Sequence, residues 1–175
     1  DYGDILLMPF TGEPVLHSGY FRNDGTGYGS AFSHDRETAR PGYYAVYLDG
    51  PGVLAECTAA PRCGVHRYTF DGPEGGAGII IDLNHRDEVI DSGLEVAEDG
   101  EIRGFRRSRA WATDQHAYFS ARFTPPPSRV EIALDDSVRQ GLTSARGRNV
   151  KALLYFDLPP GGAVTACVGI SAVDT

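Results

Sequence analysis

Residues 43–70 read YYAVYLDGPGVLAECTAAPRCGVHRYTF. Three runs rich in Tyr, Val, Leu and Phe, at Tyr43–Leu48, Val53–Thr58 and Gly64–Phe70, are separated by DGPG at 49–52 and by a break around Pro61. None of them repeats apolar residues at helical spacing. Aromatic and β-branched residues suit a pleated surface, and Asp, Gly and Pro punctuate it. The stretch therefore reads as three consecutive antiparallel strands.

The same grammar extends to both ends. Strands are predicted near Ile5–Phe10, Gly78–Leu83, Val89–Val96, Ile102–Arg109, His116–Phe123, Arg129–Leu134, Val150–Phe156 and Ala163–Val173, and no helix-length amphipathic repeat interrupts them. DGPEGG at 71–76, EDGE at 98–101 and PPGG at 159–162 supply glycines for positive-φ turns. Pro125–Pro127 cannot donate to a ladder and mark a loop or an edge. The expected fold class is all-β, an antiparallel β-sandwich, with residues 1–175 forming one domain. In IRGFRRSR, Ile102, Gly104, Arg106 and Ser108 share one face and Arg103, Phe105, Arg107 and Arg109 the other, so neither face is purely apolar.

A chain of 175 residues buries enough surface for a stable core without metals. Its net charge of −8 excludes the basic footprint that nucleic acid or an anionic membrane requires, and suits a neutral partner such as a sugar. No apolar run has the length of a membrane span. The opening DYGDILLMPF, without an initiator methionine, reads as the inside of a strand and leads us to expect a piece of a longer polypeptide. Cys57 and Cys63 flank TAAPR and are candidates for a disulfide across a hairpin, with two buried thiols as the alternative; Cys167 reads as a small core residue.

His34 and Glu37 stand three apart in SHDRE, the spacing of an acid–base or metal-ligating pair on one helical turn, but no third ligand or nucleophile accompanies them. The competing reading makes Ser33 or Asp35 a cap, with Glu37 reaching back to a free amide. Tyr20, Phe21 and Tyr28 in a Gly-rich loop, and the single Trp111, are candidate platforms for sugar rings, whose C–H faces stack on aromatics. Trp111 packing over the sandwich edge is the alternative, and Tyr44 and Val46 are expected to point into the core. No two acids are paired as glycoside hydrolysis demands. GTGYG at 25–29 lacks the strand–helix context of a phosphate loop.

DYGDILLMP, FSHDRETARPGYYAVYLDG, AECTAAPRCGVHRYTF, IRGFRRSRAWATDQHAYFSARF and CVGISAVDT, in this order, resemble successive signatures of the amino-terminal domain of glycoside hydrolase family 92, calcium-dependent exo-acting α-mannosidases. The resemblance implies a galactose-mutarotase-like supersandwich, lacking its first strands here, packed against an (α/α)₆ catalytic barrel. In the family, the segment before DYGDILLMP carries a Gly-Thr-Gly-type loop that helps line the mannose pocket. It implies a parent that removes terminal α-mannosides, of the α-1,2 type, with inversion, aided by calcium whose ligands lie mostly outside this chain. Secretion, or a periplasmic or bacterial cell-surface location, is part of the same expectation. No catalytic residue and no metal ligand carries over to a position here. Tyr20, Phe21, His34, Glu37 and Trp111 are the positions expected to meet the mannose-containing glycan. The two cysteines depart from the family's Leu-Thr-Ala-Thr pattern, which strengthens the disulfide expectation, and TPPPSR replaces an aromatic-containing run. A carbohydrate-binding, lectin-like module without hydrolase activity is the alternative function.

Overall fold

The computed structural model describes residues 3–19, 26–72 and 75–174. Fourteen strands appear there: β1 (Leu6–Thr11), β2 (Glu37–Arg40), β3 (Tyr43–Leu48), β4 (Val53–Ala60), β5 (Cys63–Phe70), β6 (Ala77–Asp82), β7 (Glu88–Val96), β8 (Ile102–Arg109), β9 (Gln115–Thr124), β10 (Arg129–Leu134), β11 (Ser137–Arg139), β12 (Ser144–Gly147), β13 (Val150–Phe156) and β14 (Ala163–Ser171). One 3₁₀ turn, His34–Arg36, precedes β2. Every pairing is antiparallel. One sheet runs β1-β6-β13-β10-β11 and the other β12-β7-β8-β9-β14-β5-β4-β3-β2. The sandwich read from the sequence is the fold.

The two sheets meet over a core that includes Phe70, Ile79, Ile81, Ile102, Phe119, Leu154 and Val168. At about 25 cal/mol per Å² of apolar area removed from water, these side chains are the main source of cohesion. The outer face of the five-stranded sheet is covered as well, because Leu16 and Tyr28 pack on Phe10, Ile80 and Leu153. Beneath that cover Asp82 and Lys151 are buried. Tyr28 donates to Asp82 at 2.8 Å, and Lys151 Nζ lies 3.0 Å from Asp136 and 3.7 Å from Asp82.

The predicted turns are positive-φ glycines in fact, at Gly52, Gly75, Gly76, Gly100 and Gly161. The strands not predicted are β2, β11 and β12, which are three of the four sheet edges. Their residues are largely exposed and polar, so no burial pattern marked them. The β2–β3 hairpin closes on Pro41-Gly42, with Gly42 at φ 76°, and the β10–β11 hairpin on Asp135-Asp136, both at positive φ. Asp tolerates that region through local hydrogen bonds.

Three cysteine and tyrosine expectations are corrected. Cys57 and Cys63 are free thiols. Cys57 pairs with His66 and Cys63 with Ala60, so Cys63 sits three residues, about 10 Å, farther along the hairpin and on its opposite face. A disulfide needs Cα atoms within about 7 Å. Cys167 is exposed, since β14 turns Val164, Ala166 and Val168 inward and Cys167 outward. Val46 is buried as expected, but Tyr44 is 36% exposed, one strand from the sheet edge, with its hydroxyl reaching β2.

Candidate functional site

At one end of the sandwich, between β1 and the starts of β5 and β9, the sheets part to leave a recess of about 910 Å³. Asp4, His66, Trp111, Gln115, Ile170 and Val173 are among the residues that line it. The β8–β9 loop that carries Trp111 is pinned at its base. Asp114 accepts from Arg107 at 2.7 and 2.8 Å and lies 3.1 Å from His116 Nε2, while Arg109 donates to the Thr113 carbonyl. The loop is fixed but its indole is not packed: Trp111 is 72% exposed.

A buried arginine organises the floor. The alternation of β8 sends Arg106 inward, where its guanidinium donates to the Leu83 carbonyl, the Asp4 carboxylate and the Ser108 hydroxyl, each at 2.9 Å, and to the Arg86 carbonyl. Burial draws the Arg106 pKa down, and the Asp4 and Asp87 carboxylates oppose it. The other Asp4 oxygen accepts from Gln115 at 2.6 Å. Asp4 is thereby held rigidly at the recess wall, and a carboxylate has further lone pairs for a ligand hydroxyl. His66 Nδ1 lies 2.9 Å from the Tyr68 hydroxyl, which donates to the Leu7 carbonyl. The Nδ1 contact orients the ring at the recess wall. Desolvation lowers the His66 pKa, so the ring is held neutral.

His34 and Glu37 lie elsewhere. Ser33 caps the 3₁₀ turn by accepting from the Asp35 amide at 3.2 Å, as the sequence suggested. Glu37 turns its carboxylate to Tyr44, which donates at 2.6 Å, and to His34 Nδ1 at 2.5 Å. These two hydrogen bonds hold the Glu37 carboxyl below the usual carboxylate range, and the same contact pushes Tyr44 up to about 12. The His34 side chain is 85% exposed, with Phe32 edge-on at 5.4 Å. Arg36 lies over the Tyr47 ring at 4.0 Å and pairs with Asp49.

Five interstrand steps of about 4.8 Å separate β2 from β9, about 24 Å across the sheet. The structure therefore brings His34 and Glu37 together, and keeps both away from Trp111. Tyr20 and Phe21 lie outside the described residues. Asp4, His66 and Gln115 were not singled out by sequence reasoning. Their one signal was the polar pair Arg106 and Ser108 on the inward face of β8, which implies a buried acid partner without naming it. Among the described residues no three His, Cys, Asp or Glu side chains converge to hold a metal ion. These residues offer no cage for the calcium that the resemblance implies. No helix among them is long and apolar enough to cross a membrane.

Fold and recess together define a two-sheet antiparallel sandwich domain with an aromatic-rimmed mouth at one end. The chain belongs to glycosyl hydrolase family 92: residues 1–171 match the family's N-terminal domain. A family GH92 α-mannosidase of Bacteroides thetaiotaomicron, BT3965, solved in complex with mannoimidazole, superposes with a TM-score of 0.91 at 36% identity over 100% of this chain and 24% of its own. The GH92 glycosyl hydrolase ccman5 superposes with a TM-score of 0.80 at 29% identity, over 98% of this chain and 24% of its own. The inverting mannosidase BT2199 of the same Bacteroides species shares the fold at 20% identity and a TM-score of 0.77, over 97% of this chain and 22% of its own. No curated protein matches. The chain thus spans about a quarter of the length of the solved structures it matches.

Proposed function

We propose that this domain forms one wall of the glycan cleft of an exo-acting α-mannosidase and that its contribution is the mouth beneath Trp111. The observation that carries the reading is an indole 72% exposed on a pinned loop, above a recess whose wall holds a fixed carboxylate, an amide and a neutral imidazole. An aromatic face takes the C–H side of a pyranose, and fixed acceptors sort its hydroxyls. Membership of the family, and a relative that is an α-mannosidase held with mannoimidazole, support mannose as the sugar. The family resemblance adds support, since the Gly-Thr-Gly-type loop that helps line the mannose pocket precedes DYGDILLMP, the segment that holds Asp4.

In this reading the longer protein hydrolyses terminal α-mannosides, α-1,2-linked ones in particular, with inversion. Its acid and base carboxylates and its calcium ligands belong to an (α/α)₆ partner domain, and the protein acts outside the cytoplasm of a bacterium. This chain alone releases no mannose. Its residues bind and orient: Trp111 stacks, Asp4 and Gln115 receive hydroxyls, and Arg106 acts through Asp4. His34 and Glu37, about 24 Å away across the sheet, do not touch the same monosaccharide; they shape the β2 rim. Release of mannose from α-1,2-mannobiose by the full-length protein tests the assignment, and no release with calcium supplied would overturn it.

A further inference from the structure

A second concave surface lies on the outer face of the nine-stranded sheet. It is a groove of about 700 Å³ crossing β12, β7, β8 and β9. Its centre is aromatic: Phe105 and Tyr118 are paired across β8 and β9, with ring centroids 6.3 Å apart and planes tilted by 40°. On the other side Phe105 faces Gly93, where an added Cβ would come within 2.9 Å of the ring. The glycine lets the phenyl ring lie down on the neighbouring strand. The Arg146 guanidinium sits 5.5 Å from the Phe105 centroid and is anchored to Asp91 at 2.6 Å, and Arg103 is anchored to Glu95 at 2.5 Å.

The chemistry of this face discriminates among occupants. Both arginines are already matched by carboxylates, so a polyanion would find no unpaired cation. An apolar helix laid on the groove would have to desolvate two ion pairs, which costs more than their attraction returns. A neutral polyol meets neither obstacle: its C–H faces stack on the rings, while guanidinium N–H groups and carboxylate lone pairs, fixed by their own ion pairs, meet hydroxyls without reorganising. The groove crosses three interstrand spacings, about 14 Å, the reach of an oligosaccharide rather than a single ring.

We infer that the Phe105–Tyr118 groove is a carbohydrate-binding surface for extended, uncharged glycan, separate from the Trp111 mouth. The inference rests on the mannosidase reading only for its probe, a branched α-mannan. In the full-length protein, Phe105→Ala and Tyr118→Ala are expected to lower retention on immobilised mannan by about fivefold to tenfold, the size of a lost aromatic stack, while α-1,2-mannobiose turnover stays unchanged. Arg103→Gln, a substitution at a half-exposed surface side chain that leaves the core intact, is expected to lower retention in the same direction. Unchanged retention in all three variants would overturn the inference. So would a fall in mannobiose turnover in step with retention, which would show the face packed against the rest of the protein. Retention is read whether or not mannobiose is cleaved, so failure of the mannosidase reading is seen separately.

Discussion

Arg106 is the residue on which the recess depends, because four acceptors converge on a guanidinium with no exposed side-chain surface. Removing one partner of such a buried pair strands the other charge. Arg106→Met is expected to cost about 3–5 kcal/mol, read as a lowered urea midpoint. An unchanged midpoint would mean that Asp4 is solvated rather than held. Glu37 is the opposite case: its partners His34 and Tyr44 are exposed and its bonds water-competed, so Glu37→Gln should leave the midpoint nearly untouched. Sequence spacing found the His34–Glu37 pair, since three residues on one tight turn are neighbours by geometry. It could not find Asp4 with Arg106, more than a hundred residues apart, because only the packing of the two sheets brings the segment before β1 to the inward side chain of β8.

Strands and turns were legible where burial or backbone conformation left a mark on composition. The central strands alternate, or are apolar but for one buried charge each, Asp82 in β6 and Lys151 in β13. The edge strands β2, β11 and β12 are polar, and their pairing is set by the neighbours they lie against. Register, which refuted the Cys57–Cys63 bridge, follows from a two-residue turn at Pro61-Arg62 that puts Ala60 opposite Cys63. Arg62 takes φ 62°, a left-handed conformation that strains a side-chain-bearing residue. Arg62→Gly should therefore stabilise the β4–β5 hairpin by up to about 1 kcal/mol, measured by thermal unfolding, and a lowered melting temperature would count against the turn. In the sheet interior the sign reverses. A Cβ at Gly104 would fall on the Gly93 carbonyl oxygen and 2.9 Å from both Leu94 Cα and the Phe119 ring. Gly104→Ala is expected to destabilise by about 1–3 kcal/mol.

For the whole molecule, the arrangement divides into a recess end with Trp111, His66 and Asp4, a far edge with His34 and Glu37, and the outer groove between β12 and β9. Burial lowers the His66 pKa, so near the ordinary histidine value of about 6.5 the unfolded chain binds more protons than the fold. Its contribution is complete above that value and is lost as pH falls through it toward the lower folded value. Melting temperature should therefore drop on acidification below about pH 6.5, and His66→Gln should flatten that part of the profile; an unaltered profile would show His66 solvated. The central claim is that the Trp111 mouth binds the sugar while the chemistry is done elsewhere. Steady-state kinetics of Trp111→Ala in the full-length protein on α-1,2-mannobiose test it most directly. Loss of binding shared by ground and transition states should raise KM about tenfold with kcat nearly constant. A variant with KM and kcat both unchanged would contradict the account.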